Sequence, residues 1–501
     1  MTHNEGLLSS KGILAWKALL HYKGEASVIG AKSPFFISPK GYSDPIAELN
    51  LTIEAFKSDP DTQCKYPARL DFLLNNKMVD KSDLPAANCD DYQEYLRKVP
   101  FDRVYLVFAA EDHNAAESQM GHTILKIAGE DQNGVTREHS FSFMALLGES
   151  GNFTRYIRAI GSGTEGSYVL APYSTIVETY TQKENRSLWE FELVLSEEAK
   201  DRLRKHLWEL KETPINYQFV THNCNTAIEA ILTAADQSFI DNERLLFATP
   251  IEYLQLLEKR GLIKSVSVLP SAIDKAYFAQ NKAFYPLEAP SASRVSIEGF
   301  DGGVRIGVMP NYRDIRSVSN ASLVEFENKL IEVIARYEND EIKAENINLI
   351  VMKTISNFSV GGSSKIFRLG FEENAQNRLS PFFEWGRGIG LSLFDGAVIY
   401  VMPSAGFAYG KKANAFATIE TGTIIRVGER AKFLADYTYF WDLDEDYRRF
   451  NGGLNARIIY APSREYDIGL SYSKWFDTRD NADYIRDYDR DRIALSVSLY
   501  F

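Results

Sequence analysis

The most reactive side chains in this sequence are a cysteine and a histidine far apart along the chain. Cys224 opens the stretch Cys-Asn-Thr-Ala-Ile-Glu-Ala-Ile-Leu, in which Ala227, Ile228, Ile231 and Leu232 recur at helical spacing. Asn223 is a good N-cap residue, so the pattern predicts a helix with the thiol in its first turn. There the free backbone N–H groups and the helix dipole favour the thiolate, the nucleophilic form of cysteine. Such a thiol needs a base, and His122 in Met120-Gly-His-Thr-Ile-Leu-Lys-Ile offers an imidazole. His139 is the candidate for the third position, which orients the base, with an ordinary strand histidine as its competing reading. The backbone N–H of Cys224 is a natural oxyanion donor, with the Asn223 or Tyr217 side chain as a possible second. The competing reading of Cys224 itself is a small buried side chain, the usual fate of a free cysteine. His222 reads as structural, and His113 as part of a solvated loop. The cysteines and histidines do not cluster as ligand pairs, so no metal or cofactor is expected.

The elements that must hold these residues follow from periodicity. Residues 101–195 carry strand patterns: Val104–Ala109, the alternating His122–Ile127, His139–Phe143 after the Gln132-Asn-Gly turn, and Ser187–Leu195. The middle two form an expected hairpin that places His122 and His139 on neighbouring strands. Ser196 is expected to cap a helix over Glu197–Leu210, followed by the Cys224 helix. Residues 1–100 read as a helical segment, with an apolar stripe in Ile13–Tyr22 and prolines opening helices at Pro45 and Pro67. The thiol domain is expected over 101–285.

Composition sets bounds. At 501 residues the chain is too long for one ordinary core, and a net charge of −12 argues against a nucleic-acid surface. No apolar run reaches the ~20 residues of a spanning helix. The first residues do not read as a signal peptide, so an exported protein would have lost it. Of three cysteines, Cys64 and Cys89 lie in one segment between turn formers. Pairing them leaves Cys224 as the odd thiol of an exported protein; three reduced thiols in a cytosolic protein is the alternative. The C-terminal half favours the disulfide.

Residues 290–501 read as long alternating segments. In the last, Ile493, Leu495, Val497, Leu499 and Phe501 share one phase, and Ala494, Ser496, Ser498 and Tyr500 the other. In Ala417–Val427, Glu420 and Arg426 fill the polar phase, with Ile419, Ile425 and Val427 opposite. Polar groups on one face and apolar groups on the other suit a membrane barrel with a polar interior. A soluble sandwich also alternates, but segments of about 10–16 residues exceed its usual strand length. Tyr437, Tyr439, Trp441, Tyr472 and Trp475 are expected in an aromatic girdle. Acidic gaps such as 442–446 and 477–483 are expected to be long outer loops, and gaps such as 428–430 short periplasmic turns. An even strand count of about twelve, with ten as the alternative, returns the chain to its starting side.

Several pieces together resemble a known family. Gly121-His-Thr, Ser142-Phe, Tyr168–Tyr173, Arg186–Leu193 and Tyr217-Gln-Phe…Asn223-Cys resemble the N-terminal periplasmic domain of the Lnb family, named for a bacterial lipoprotein N-acyltransferase. Gln63–Arg69 resembles the helical segment that precedes it. The His-before-Cys order is similar to that of permuted papain-like enzymes, including the NlpC-type peptidases and the lecithin:retinol acyltransferase-like group. The resemblance implies an α+β papain-like periplasmic domain followed by an all-β transmembrane barrel of about 12 antiparallel strands. It further implies a Cys224 nucleophile and a His122 base that pass an acyl group through a thioester. The expected setting is the outer membrane of a Gram-negative bacterium, with the N-terminal domain in the periplasm. Expected partners are outer-membrane lipids, a lipoprotein or phospholipid substrate, and the barrel-assembly machinery. A peptidase or amidase acting on envelope peptides such as peptidoglycan is the second class. A non-enzymatic barrel with an adaptor domain is the third.

Overall fold

In the computed structural model of the chain, the structure describes residues 8–112, 120–145, 163–211, 213–218, 221–243, 249–272, 274–275, 285–318, 325–356, 358, 363–394, 396–444, 447–448, 450–476 and 491–501. The chain divides into two compact units, Met1–Asn281 and Lys282–Phe501.

The first unit begins with helices α1 (Ser10–Leu19), α2 (Pro45–Ser58), α3 (Pro60–Lys65), α4 (Pro67–Asn75) and α5 (Asp90–Lys98). Ser9, Asp44 and Asp59 accept first-turn amides, and proline opens α2, α3 and α4, where a missing N–H costs nothing. Seven strands follow: β1 (Arg103–Ala109), β2 (His122–Glu130), β3 (Thr136–Ala145), β4 (Thr164–Pro172), β5 (Leu188–Leu193), β6 (Pro214–Tyr217) and β7 (Ile263–Leu269). They form one antiparallel sheet in the order β6-β4-β3-β2-β1-β5-β7. Between them run α6 (Tyr173–Val177), extended by a π-helical turn over Glu178–Lys183, then α7 (Glu197–Glu209), α8 (Cys224–Ala235) and α9 (Pro250–Lys259).

Alternation gives this sheet two faces. Ile124 and Ala128 of β2 pack with Tyr105 and Val107 of β1 against Tyr173, Ile176 and Tyr180. Leu125 and Ile127 point to the other face, where Phe143 and Tyr168 share a cavity wall with Ala227 and Ala230 of α8.

The helical segment is tied to α7 by the stretch that includes Cys64 and Arg69. Cys64 and Cys89 form a disulfide, with Cα atoms 5.1 Å apart across 25 positions. The Cys64 carbonyl accepts from Trp208 Nε1 at 2.8 Å. Arg69 is fully buried. It donates to Glu48 at 2.8 Å and to the Phe35 carbonyl at 2.9 Å, and its backbone N–H donates to Glu209 at 2.9 Å. The Phe35 and Tyr66 rings lie 4.2 and 4.3 Å from its guanidinium. A buried guanidinium survives only with this degree of satisfaction.

The second unit is a closed barrel of twelve antiparallel strands: β8 (Arg294–Phe300), β9 (Gly303–Met309, continued by Asn311–Arg313), β10 (Glu325–Glu338), β11 (Glu341–Ile355), β12 (Ser364–Glu373), β13 (Leu379–Phe394), β14 (Ala397–Tyr409), β15 (Ala413–Val427), β16 (Ala431–Asp442), β17 (Gly452–Tyr460), β18 (Tyr466–Phe476) and β19 (Asp491–Tyr500). Each pairs with the next, and β8 closes on β19 with Arg294 opposite Tyr500. Pro310, which has no N–H to donate, interrupts β9. Ile493, Leu495 and Leu499 are 66%, 59% and 55% exposed, whereas Ser498 and Tyr500 are 1% and 7%. The apolar phase is therefore the outer wall, as a lipid-facing surface requires.

Two expectations about this unit are corrected. Trp475 shares the inward phase of β18 with Asp467 and Ser471, and the Arg492 guanidinium lies 5.5 Å from its ring. It is not a girdle residue, because an odd offset of three residues from Tyr472 puts it on the opposite face. Nor are long connections confined to one end. The strands joined across 374–378 and 443–451 meet at one end, and those joined across 314–324 and 356–363 meet at the end where the barrel starts and finishes. The 477–483 stretch itself lies outside the described residues.

The interior is polar and occupied. Arg426 and Lys432 meet Glu325 at 2.6 and 2.8 Å, and Arg457 reaches Glu298 at 2.9 Å. Arg368 meets Glu384 at 3.0 Å, and Lys353 pairs with Glu420. Glu325 is on β10 and Lys432 on β16, six strands apart in a ring of twelve, so their contact spans the lumen. Lys432 also donates to the carbonyls of Ile315 and Ser317, which draws residues 314–318 inward. Ile315 then packs on Ile355, Ile366, Tyr400, Met402 and Ile424.

Candidate active site

Asn223 caps α8 by accepting the Thr226 N–H at 3.1 Å, and Cys224 is the first helical residue. In phase with Ile228, Ile231 and Ala235, its side chain is buried at 6% exposure. His122 is the first residue of β2. Gly121 before it has φ +80°; a Cβ there would overlap the Phe108 ring and come within 2.8 Å of the Ala109 carbonyl oxygen. Only glycine lets the chain enter β2 at this point.

These two ends meet. Burial pushes the Cys224 thiol up, but the His122 charge and a hydrogen bond from His122 more than offset it, helped by the Thr123 backbone N–H. The net result is a fall from 9.0 to about 7. The Thr123 hydroxyl is close by but makes no well-formed hydrogen bond. At neutral pH a large share of the sulfur is therefore thiolate, which is what a nucleophilic cysteine requires.

His122 has an unusual setting for a base. Its Nε2 is buried and, among the described residues, has no hydrogen-bond partner. Its ring stacks on Tyr180, with centroids 6.3 Å apart and an interplanar angle of 20°. Tyr180 sits in the π-helical turn, and its hydroxyl is pushed up to about 12 by burial, with the Cys224 charge among the lesser causes. Sequence reasoning missed this tyrosine because nothing in Glu178–Lys183 announces a π-helical turn. It also missed Asn225, which is wholly buried beside the nucleophile, both its amide atoms without a partner among the described residues.

His139 does not reach the site. It lies opposite Ile127 on β3, five residues along from His122 and in the opposite phase of the sheet. Five residues of strand amount to about 16 Å. The hairpin expectation had the strands adjacent, which they are, but register decides which residues face each other. Burial and Arg137 lower the His139 pKa. Tyr217 pairs with Thr164, and its ring packs 5.7 Å from Phe143. His222 is held within its own turn, 3.1 Å from the Thr221 hydroxyl and 3.4 Å from Gln218. His113 lies outside the described residues.

A cavity of about 560 Å³ lies beside α8, with Leu14, Ala18 and Val28 on one side and Thr226, Ala227 and Ala230 on the other. These α8 residues occupy the face turned away from Cys224, so the cavity does not contain the thiol. Among the described residues, no group of three His, Cys, Asp or Glu side chains could hold a metal ion.

Residues 12–76 match a domain of unknown function, DUF7843. No curated protein matches the chain. Similar solved structures include the KdgM porin, at 10% identity over 42% of this chain and 98% of the porin, with a TM-score of 0.26. The Acinetobacter baumannii outer membrane protein Omp33 is similar at 12% identity over 43% of this chain and 100% of that protein, with a TM-score of 0.24. An outer membrane channel from Pseudomonas putida F1 is similar at 4% identity over 42% of this chain and 96% of the channel, with a TM-score of 0.28. Residues 91–260 match the family described as the Lnb N-terminal periplasmic domain. A match to a periplasmic domain, followed by a closed barrel with an apolar outer wall, places the chain in the outer membrane with its N-terminal unit in the periplasm.

Proposed function

We propose that the N-terminal unit is a thiol acyltransferase of the permuted papain-like kind, acting on a lipid or lipoprotein acyl donor. The observation that carries this reading is the Cys224 thiol, brought to about 7 by His122 despite its burial. His122 takes the proton from Sγ, and the thiolate attacks the carbonyl carbon of an acyl ester. The negative charge moves to the carbonyl oxygen, where the first-turn N–H groups of α8 would receive it, with Asn223 or Tyr217 as a side-chain donor. Collapse breaks the ester bond, His122 returns its proton to the departing alkoxide, and a Cys224 thioester remains. An amine, hydroxyl or water then attacks the thioester, with His122 again holding the proton. Similarity to a domain named for a lipoprotein N-acyltransferase, and a barrel surrounded by outer-membrane lipids, support a lipid donor over an envelope peptide.

The test is the mass of the trapped intermediate. The full-length protein in detergent is incubated with envelope lipids, quenched in acid and weighed intact beside Cys224→Ser. A fatty-acyl increment on wild type alone is expected. A peptide increment after incubation with peptidoglycan fragments would convert the reading to an amidase. No increment with either, on wild type or on Cys224→Ser, would remove the enzymatic reading.

A further inference from the structure

We infer that Tyr180 is the positioning residue for His122, fixing the imidazole by ring stacking where a Cys–His pair usually has a hydrogen-bonding third side chain. The inference rests on the thiol-enzyme reading. Three observations carry it. First, His122 Nε2 is buried without a partner, so among the described residues no side chain fixes that nitrogen. Second, the His122 and Tyr180 rings are nearly parallel, which restricts the imidazole plane. Third, Tyr180 is itself held. It is 5% exposed, and the Arg186 guanidinium lies 4.7 Å from its ring centroid.

Arg186 closes the circuit back to His122. Its Nε donates to the Ala110 carbonyl at 2.6 Å, its Nη2 to the Ala109 carbonyl at 3.3 Å and its Nη1 to Glu184 at 2.8 Å. Its backbone N–H donates to the Tyr180 carbonyl at 2.8 Å. Ala109 is the residue directly opposite His122 in the β1–β2 ladder. The strand that pairs with His122 is thus the strand to which the Tyr180 clamp is fastened. A π-helical turn places Tyr180 there, and such turns are retained mostly at functional sites, since they cost regular helical bonds. The hydroxyl is not required for stacking; the ring is.

The test is the pH profile of Cys224 alkylation by iodoacetamide in the full-length, disulfide-intact protein, read by intact mass. Tyr180→Leu removes the ring, and the midpoint is expected to rise by about one unit as the imidazole loses its orientation toward sulfur. Tyr180→Phe keeps the ring and should restore the wild-type midpoint. If Tyr180→Leu does not fold, Tyr180→Met, longer and more adaptable at the same volume, carries the same expectation. A Leu or Met variant with the wild-type midpoint, while His122→Asn shifts it, overturns the positioning role and leaves the thiol reading standing. Equal shifts for Phe and Leu also overturn it, since the hydroxyl rather than the ring would then matter. An unshifted His122→Asn profile overturns the thiol reading itself.

Discussion

Replacing His122 with asparagine removes the charge that opposes burial at Cys224. With that charge and its hydrogen bond gone, burial outweighs the Thr123 N–H that remains, and the thiol should return from about 7 to about 9. Two units correspond to about 2.7 kcal/mol of lost thiolate stabilisation. At pH 7 the thiolate fraction falls from about one half to about one in a hundred. A more basic thiolate is intrinsically more nucleophilic, by about eightfold over two units. The alkylation rate at pH 7 should therefore drop only about sixfold. Above pH 10 the variant should react about sevenfold faster than wild type, and the two profiles should cross near pH 8. The assay is iodoacetamide labelling of the full-length protein across pH 5–11, followed by intact mass. The folded pKa lies below the ordinary one, so thiolate formation adds stability that is complete above pH 9.0 and lost as pH falls through about 7. Parallel profiles with one shared midpoint would refute the electrostatic argument, whatever the absolute rates.

Gly121→Ala should cost about 1–3 kcal/mol, because a positive φ and a crowded Cβ must both be accommodated. It should also raise the thiol midpoint, since His122 moves with its neighbour; a shift in stability alone would count against that coupling. Asn225→Leu removes two orphaned amide atoms and should raise the urea midpoint, by about 1–3 kcal/mol in stability. An unchanged or lower midpoint would show that the amide is satisfied. Lys432→Met leaves Glu325, among the described residues, paired with Arg426 and should destabilise the barrel by about 1.5–3 kcal/mol, the worth of one charge-assisted hydrogen bond. The heat-dependent mobility shift of the folded barrel in gel electrophoresis reads this directly.

Elements governed by a strong local period were legible in the sequence. Cys224 in a capped first turn, the β2–β3 hairpin and the alternating terminal strand depend on caps and on periods of two or 3.6, all local. What failed was long-range. β4, β6 and β7 escaped notice as strands because they are short or polar, and their place in the sheet comes from partners far along the chain. His139 was misassigned because hairpin register cannot be read from the presence of two histidines. Trp475 was misassigned for the same reason in miniature: its neighbours in sequence belong to the other face. The Cys64–Cys89 disulfide was expected and is present, but Gln63–Arg69 gave no hint that a buried guanidinium would fasten the helical segment to α7.

The ion pair between Glu325 and Lys432 joins walls on opposite sides of the ring, like the crossbar of a wheel. A tie of this kind braces the two walls against being pulled apart or pushed together. Squeezed from either side by the bilayer, a cylinder tied across its bore deforms less than an untied one.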